Sequence, residues 1–245
     1  VCVILQSSIS AYAEKKLVII SPHRKSIQEE FIPKFRDYYK NKYGTAIKVD
    51  WLDQGGTSDD IRFVRSKFKA NSKTSGIDIF WGGGATTFIE LSADDLLSTY
   101  KLPADLQKQI PRNAAGVALY DNGLNWYGSA ISSFGIFYNK KIMEFDKLTP
   151  PKTWSDLADF SYNNNIVGTD PRHSGSVTLM YFIMMQSMGW DKGYALLTKL
   201  AGNMRKFSHS SSDPIKSVVS GDAAASLAID FYANSKIVDL GEENL

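Results

Sequence analysis

The feature that most constrains this sequence is a threefold alternation in its first hundred residues. A short apolar run is followed by a turn of small or hydroxyl residues, and then by apolar positions at helical spacing. Residues 17–20 are continuously apolar, Ser21-Pro22-His23 breaks the run, and Ile27, Phe31, Ile32 and Phe35 share one face of the helix expected next. In residues 46–52, Ile47, Val49 and Trp51 alternate with polar neighbours. Gly55-Gly56 ends that strand, Thr57 stands three residues before Asp60 as in a capping box, and Ile61, Val64 and Phe68 space out a second helix. A third strand over 77–81 runs into Gly82-Gly83-Gly84, with a helix expected over 86–97. The order β-α-β-α-β-α requires crossover connections, and hence a mainly parallel sheet with helices on both faces.

Beyond Pro103 the pattern is irregular until 125–138, where aromatic and apolar residues predict one or two strands. A cap at Thr153-Trp154-Ser155-Asp156, a long helix over 174–188 ending at Gly189, and a further helix over 190–201 ending at Gly202 follow. A short helix over 214–219, an alanine-rich strand over 223–230 and a helix over 231–238 complete the reading. There is no internal repeat and no low-complexity linker. A chain of 245 residues is long enough for two lobes.

With 28 basic and 26 acidic residues, the formal charge of +2 offers no basic stripe, so no nucleic-acid partner is expected. Residues 1–13 are mostly apolar or small and end in Ala11-Tyr12-Ala13, the form that precedes signal cleavage. They read as the remnant of a signal peptide, the other reading being a buried first strand. Cys2 is the only cysteine, so the mature chain would carry none, which suits an oxidising periplasm and excludes a cysteine nucleophile or a cysteine-held metal. An α/β lobe ending near residue 245 would ordinarily continue, so missing sequence is expected at that end too.

Six motifs in order carry a resemblance: Ser21-Pro22-His23; the run from Asp53 through Gly55-Gly56-Thr57-Ser58 to Asp60; Asp78-Ile79-Phe80-Trp81 with its three glycines; Trp126-Tyr127-Gly128; Asp170-Pro171-Arg172-His173-Ser174-Gly175-Ser176; and Ser220-Gly221-Asp222-Ala223-Ala224. Together they resemble the ferric-iron and related group of bacterial ABC-transporter substrate-binding proteins. That resemblance implies a two-lobed α/β Venus-flytrap fold with a mainly parallel sheet in each lobe. Lobe one is then expected over 14–124, lobe two over 125–230, and a return segment toward lobe one over 231–245. It also implies a periplasmic monomer without a cofactor, serving an ABC permease, which captures a small anionic solute or ferric iron between its lobes.

In open α/β sheets ligands bind beyond the carboxyl ends of the strands, where helix N-termini offer free N–H groups to anions. The residues expected at such a site are Ser21, His23, Thr57, Ser58 and Gly83 from lobe one, and Arg172, Ser174, Gly175 and Ser176 from lobe two. Tyr127, Asp230 and Tyr232 are expected near the crossovers between lobes. Ser174 and Ser176 equally suit a helix cap, and Gly55-Gly56-Thr57 a turn with its cap. For ferric iron the resemblance implies His23, Asp230 and Tyr232 as ligands, although Asp230-Phe231-Tyr232 holds one tyrosine where an adjacent pair is expected. The alternative is a secreted hydrolase or transferase using Asp59, Asp60 or Asp230 with His173. No nucleophile elbow, phosphate-binding P-loop or zinc-protease motif supports it.

Overall fold

The computed structural model describes residues 14–114, 116–241 and 245. The expected signal-peptide remnant, with Cys2, lies outside the described residues.

Two sheets organise the chain. The first is built from β1 (Lys15–Ile20), β2 (Ile47–Leu52) and β3 (Ile79–Phe80), parallel and in the order β2-β1-β3. The connecting helices are α1 (Lys25–Tyr43) and α2 (Thr57–Ala70), and α3 (Ala85–Ala93) follows β3. Ile20, Ile61, Val64 and Leu91 form the buried centre of this unit, with Phe68 and Phe80 packed around it. Because β2 and β3 leave β1 on opposite sides, the crevice at the end of β1 is a topological switch point. The loops of Ser21 and Gly82 flank it.

The stretch expected to be irregular holds a four-residue helix α4 (Ala104–Gln107) and a two-residue hairpin of β4 (Asn113–Ala114) and β5 (Val117–Ala118). The strand expected over 125–138 is confined to β6 (Phe134–Tyr138); upstream, Tyr127 makes a single bridge to Tyr120. Next come α5 (Lys140–Phe145), two 3₁₀ turns over 156–162, β7 (Ile166–Thr169), α6 (Gly175–Met188), α7 (Trp190–Asn203), β8 (Met204–Ser208), α8 (Asp213–Val219), β9 (Ala225–Ile229) and α9 (Asp230–Leu240).

The second sheet has the order β6-β9-β7-β8, with β9-β7 and β7-β8 parallel and β6-β9 antiparallel. It is buried on both faces. Ile166 and Leu227 point to a cluster with Val177, Met180 and Met184 of α6 and Leu196 and Leu200 of α7. Val167 and Ala228, one residue on, point to the opposite cluster with Ile215 and Val218 of α8 and Tyr232 of α9. The period-two alternation of the strands thus sorts residues between two helical layers. The return segment remains close to this unit, since α9 lies on α8, β6 and β9, although Arg24 of the first unit donates to Ser235.

Two capping expectations change. The N-cap of α2 is Gly56 and Thr57 is already helical, because the Asp60 carboxylate accepts from the Gln54 N–H and not from a capping-box partner. At 153–156 it is Asp156 that accepts, from the N–H groups of Lys152 and Thr153, and a 3₁₀ turn follows in place of an α-helix.

The tightest joint in the second unit is between α6 and α7, where Gly193 lies so close to Met185 that a β-carbon would collide with the Met185 Cα. Gly193→Ala must push the helices apart, and a loss of about 1–3 kcal/mol is expected from urea denaturation, the range for overpacked cores.

Candidate functional site

The carboxyl ends of both sheets face one another across a cleft of about 1480 Å³, which continues along the apolar flank of the first sheet past Val64, Phe68 and Leu96. Thr57, Gly83, Tyr127, Ser174, Ser176 and Tyr232 of the expected residues line it. Ser21, His23, Ser58, Arg172, Gly175 and Asp230 are not among its lining residues.

Three helix N-termini meet there. Thr57 opens α2, Gly84 caps α3, and Ser174 caps α6, its Oγ accepting from the Val177 N–H at 3.4 Å. Thr57, Thr87 and Ser174 are buried, and Thr87 Oγ1 donates to the Gly83 carbonyl at 3.0 Å. The backbones are packed hard against one another across the two units. A β-carbon on Gly175 would sit 3.1 Å from the Gly83 oxygen, one on Gly56 would collide with the His173 carbonyl, and one on Gly83 with the Thr57 methyl. Gly83 also has φ +95°, a conformation that residues with a β-carbon adopt at a cost. The first-turn N–H groups of a helix have no partner within it, so three sets of donors open toward one region.

The remaining expected residues are tied into local structure. Ser21 is fully buried, with Oγ 2.8 Å from His23 Nδ1 and accepting from the His23 N–H. His23 packs on Trp81, and burial lowers its pKa, opposed by a hydrogen bond with the Trp81 backbone. The Tyr127 hydroxyl donates to the Tyr100 carbonyl at 2.8 Å, leaving its ring on the cleft wall. Asp230 Oδ2 accepts from both the N–H and the hydroxyl of Ser133, and Oδ1 from the Phe231 N–H. The Tyr232 ring is buried under the Arg24 guanidinium, 4.2 Å away, and burial raises the pKa of its hydroxyl. Arg172 points away from the cleft: its exposed guanidinium pairs with Asp170 at 2.5 Å, and that hydrogen bond holds the Asp170 pKa down to about 2.

Residues that sequence reasoning missed also line the cleft: Trp81, Ser129, Ser132 and Ser133, and the loop His209-Ser210-Ser211 after β8. The run Ser208 to Ser212 followed by Asp213-Pro214 was a legible signal for a loop entering a helix, since proline favours the first helical turn. The strand before it, β8, is masked in sequence by the exposed Arg205 and Lys206. Asp59 lies beside that loop, its Oδ2 3.0 Å from His209 Nε2 and 3.5 Å from His173 Nδ1. Burial pushes its carboxyl up, but His209 and the ion pair with Arg62 outweigh this and hold it below the usual range.

The family of bacterial extracellular solute-binding proteins matches over residues 77–238. The chain belongs to that family. Among curated relatives of this solute-binding protein is the phosphoglycerate transport regulatory protein PgtC of Salmonella typhimurium, 30% identical over 137 residues, which make up 56% of this chain and 32% of the relative. The chain therefore spans about a third of that relative's length. Among solved structures, the periplasmic binding protein AfuA of Actinobacillus pleuropneumoniae, with fructose-6-phosphate bound, superposes with a TM-score of 0.72 at 19% identity, over 90% of this chain and 65% of AfuA. Iron-bound HitA of Pseudomonas aeruginosa superposes with a TM-score of 0.69 at 16% identity, over 93% of this chain and 67% of HitA. These likenesses establish the two-lobed fold. No helix among the described residues is long and apolar enough to cross a membrane.

One buried carboxyl in the first turn of α2 makes the stability of the fold sensitive to pH. Asp60 is fully buried, its Oδ2 has no hydrogen-bond partner among the described residues, and burial, helped by the charges of Asp53 and Asp59, raises its pKa from 3.8 to about 7. Between those values the folded state holds a proton that the unfolded state has lost. The stability this contributes is therefore complete below pH 3.8 and disappears as the pH rises through about 7. Relative to Asp60→Asn, which cannot titrate, the wild-type urea midpoint is expected to fall across that range; parallel pH profiles would contradict the assignment.

Proposed function

We propose that this chain is the solute-binding component of a periplasmic ABC importer, which closes its two lobes over a small phosphate- or phosphonate-bearing solute and presents the closed form to a membrane permease. The observation that carries the reading is the convergence of the N-termini of α2, α3 and α6 on one interlobe cleft, with Thr57, Gly83, Ser174 and Ser176 at their tips. Tetrahedral oxyanions suit such a place because helix N–H groups and the positive ends of helix dipoles point at it together. The division into a lobe over 14–124, a lobe over 125–230 and a return over 231–245 is part of the proposal. Ser21, His23, Ser58 and Gly175 support the cleft from behind its lining, and Tyr127 and Tyr232 stand on its walls.

Ferric iron is the second reading, favoured by the likeness to iron-bound HitA. Two of the three residues it would need are poorly poised for it. Asp230 has its oxygens spent on Ser133 and Phe231, and burial raises the pKa of the Tyr232 hydroxyl, which disfavours the tyrosinate. Catalysis by Asp59 with His173 gains nothing from their proximity, since Arg62 and His209 already occupy the Asp59 carboxylate.

Thermal melting against phosphoglycerate, fructose-6-phosphate, 2-aminoethylphosphonate and ferric citrate tests the choice. A phosphorylated or phosphonate ligand at about 100 times its Kd should stabilise the protein by about 2.7 kcal/mol, with ferric citrate inert. Gly56→Ala leaves lobe one unstrained but drives a methyl into the His173 carbonyl of the facing lobe. It should weaken that ligand at least about tenfold, a loss of about 1.4 kcal/mol. A midpoint raised by ferric citrate alone, or an undiminished affinity in Gly56→Ala, would overturn the reading.

A further inference from the structure

We propose that Asp59, His173 and His209 form a second site, distinct from the anion cradle, that takes a divalent transition-metal ion of the zinc class and bridges the two lobes. The three side chains come from both sides of the cleft: Asp59 from the first turn of α2, His173 from the loop after β7, and His209 from the loop after β8. One ligand atom from each lies within 4.8 Å of the others. Asp59 Oδ2 is 3.0 Å from His209 Nε2 and 3.5 Å from His173 Nδ1. Around a tetrahedral ion with bonds of about 2.0–2.1 Å, ligand atoms stand about 3.3 Å apart, close to both distances from Asp59 Oδ2.

Three further observations point the same way. His173 Nδ1 is buried and makes no hydrogen bond among the described residues, although it faces the carboxylate, which leaves a nitrogen with an unused lone pair. Arg62 pairs with Asp59 Oδ1 and so fixes the carboxylate with Oδ2 turned toward the two imidazoles, the orienting part that an outer partner plays around a metal. Gly55 and Gly56 let the histidines come this close. A β-carbon on Gly55 would lie 3.4 Å from His209 Nε2, and one on Gly56 would strike the His173 carbonyl. The two imidazoles lie against each other with centroids 3.7 Å apart, both beside one carboxylate oxygen, and admitting an ion requires the rings to spread until each nitrogen points at it.

Two imidazole nitrogens with one carboxylate oxygen suit zinc, nickel or copper and are a poor set for magnesium or calcium, which take oxygen ligands. Three protein ligands leave a fourth position for water. His209 also lines the cleft, so the ion would stand at its rim. Because the ligands are drawn from both lobes, the ion binds only the closed arrangement, and by linkage it favours closure.

The test is isothermal titration of the whole protein with zinc chloride at neutral pH and without solute, so that its outcome is independent of which solute the cleft holds. One saturable site is expected, with no binding of magnesium or calcium. His209→Ala and His173→Ala should each raise the zinc Kd at least about tenfold. His209 has a half-exposed side chain, so its substitution spares the core and decides the matter if His173→Ala folds poorly. Absence of saturable binding up to about 1 mM zinc, or unchanged affinity in His209→Ala, would overturn the proposal.

Discussion

Everything at the cleft depends on how closely two backbones approach across it. The Gly56 Cα faces the His173 carbonyl with no room for a methyl group, and Gly175 stands against the carbonyl of Gly83. Side chains at these points would hold the lobes apart and separate the N-termini of α2, α3 and α6. The glycines thus act in space left empty: they let helix N–H groups from both units address one cleft, which side chains on long stems could not do with the same rigidity.

That approach has an electrostatic consequence. Helix N-termini brought together without an anion between them concentrate partial positive charge, so the closed arrangement favours a negative partner. Asp59 and Asp60 both stand in the first turn of α2, Asp60 buried within it. Burial is the first cause of its raised pKa, and the Gln54 N–H opposes it only in part.

Much of the fold was legible because it rests on periodicity. Ile47, Val49 and Trp51 alternate and form β2; the spacing of Ile61, Val64 and Phe68 is that of α2. What escaped is equally physical. β7 is four residues buried on both faces, Ile166 to Thr169, too short for any alternation to register. β8 is an edge strand whose Arg205 and Lys206 are exposed, so its composition reads as loop. The site was half legible for the same reason. Glycines and serines at strand ends announce a cradle from sequence alone, and Thr57, Gly83, Ser174 and Ser176 do line the cleft. Orientation is not written in the sequence: Arg172, two residues from the Ser174 cap, turns outward because Asp170 captures it first. Nor could spacing bring His209 to Asp59, 150 residues away, since that contact exists only once both sheets have formed.

The choice between anion and ferric iron follows from how each candidate ligand spends its donors and acceptors. A hard cation needs anionic oxygen that is free to reorganise around it. At the crossover, Asp230 instead spends its oxygens on Ser133 and the start of α9, a role that ties β6 to β9 at the point where the chain turns back. Tyr232, buried against α8 and covered by Arg24, stands where ionising the phenol costs desolvation. A guanidinium over the ring offsets only part of that cost. An oxyanion asks nothing of these groups, because it takes its hydrogen bonds from backbone donors that helix geometry has already left unpaired. On the proposed reading, the same folding rule that exposes those N–H groups favours a negatively charged solute.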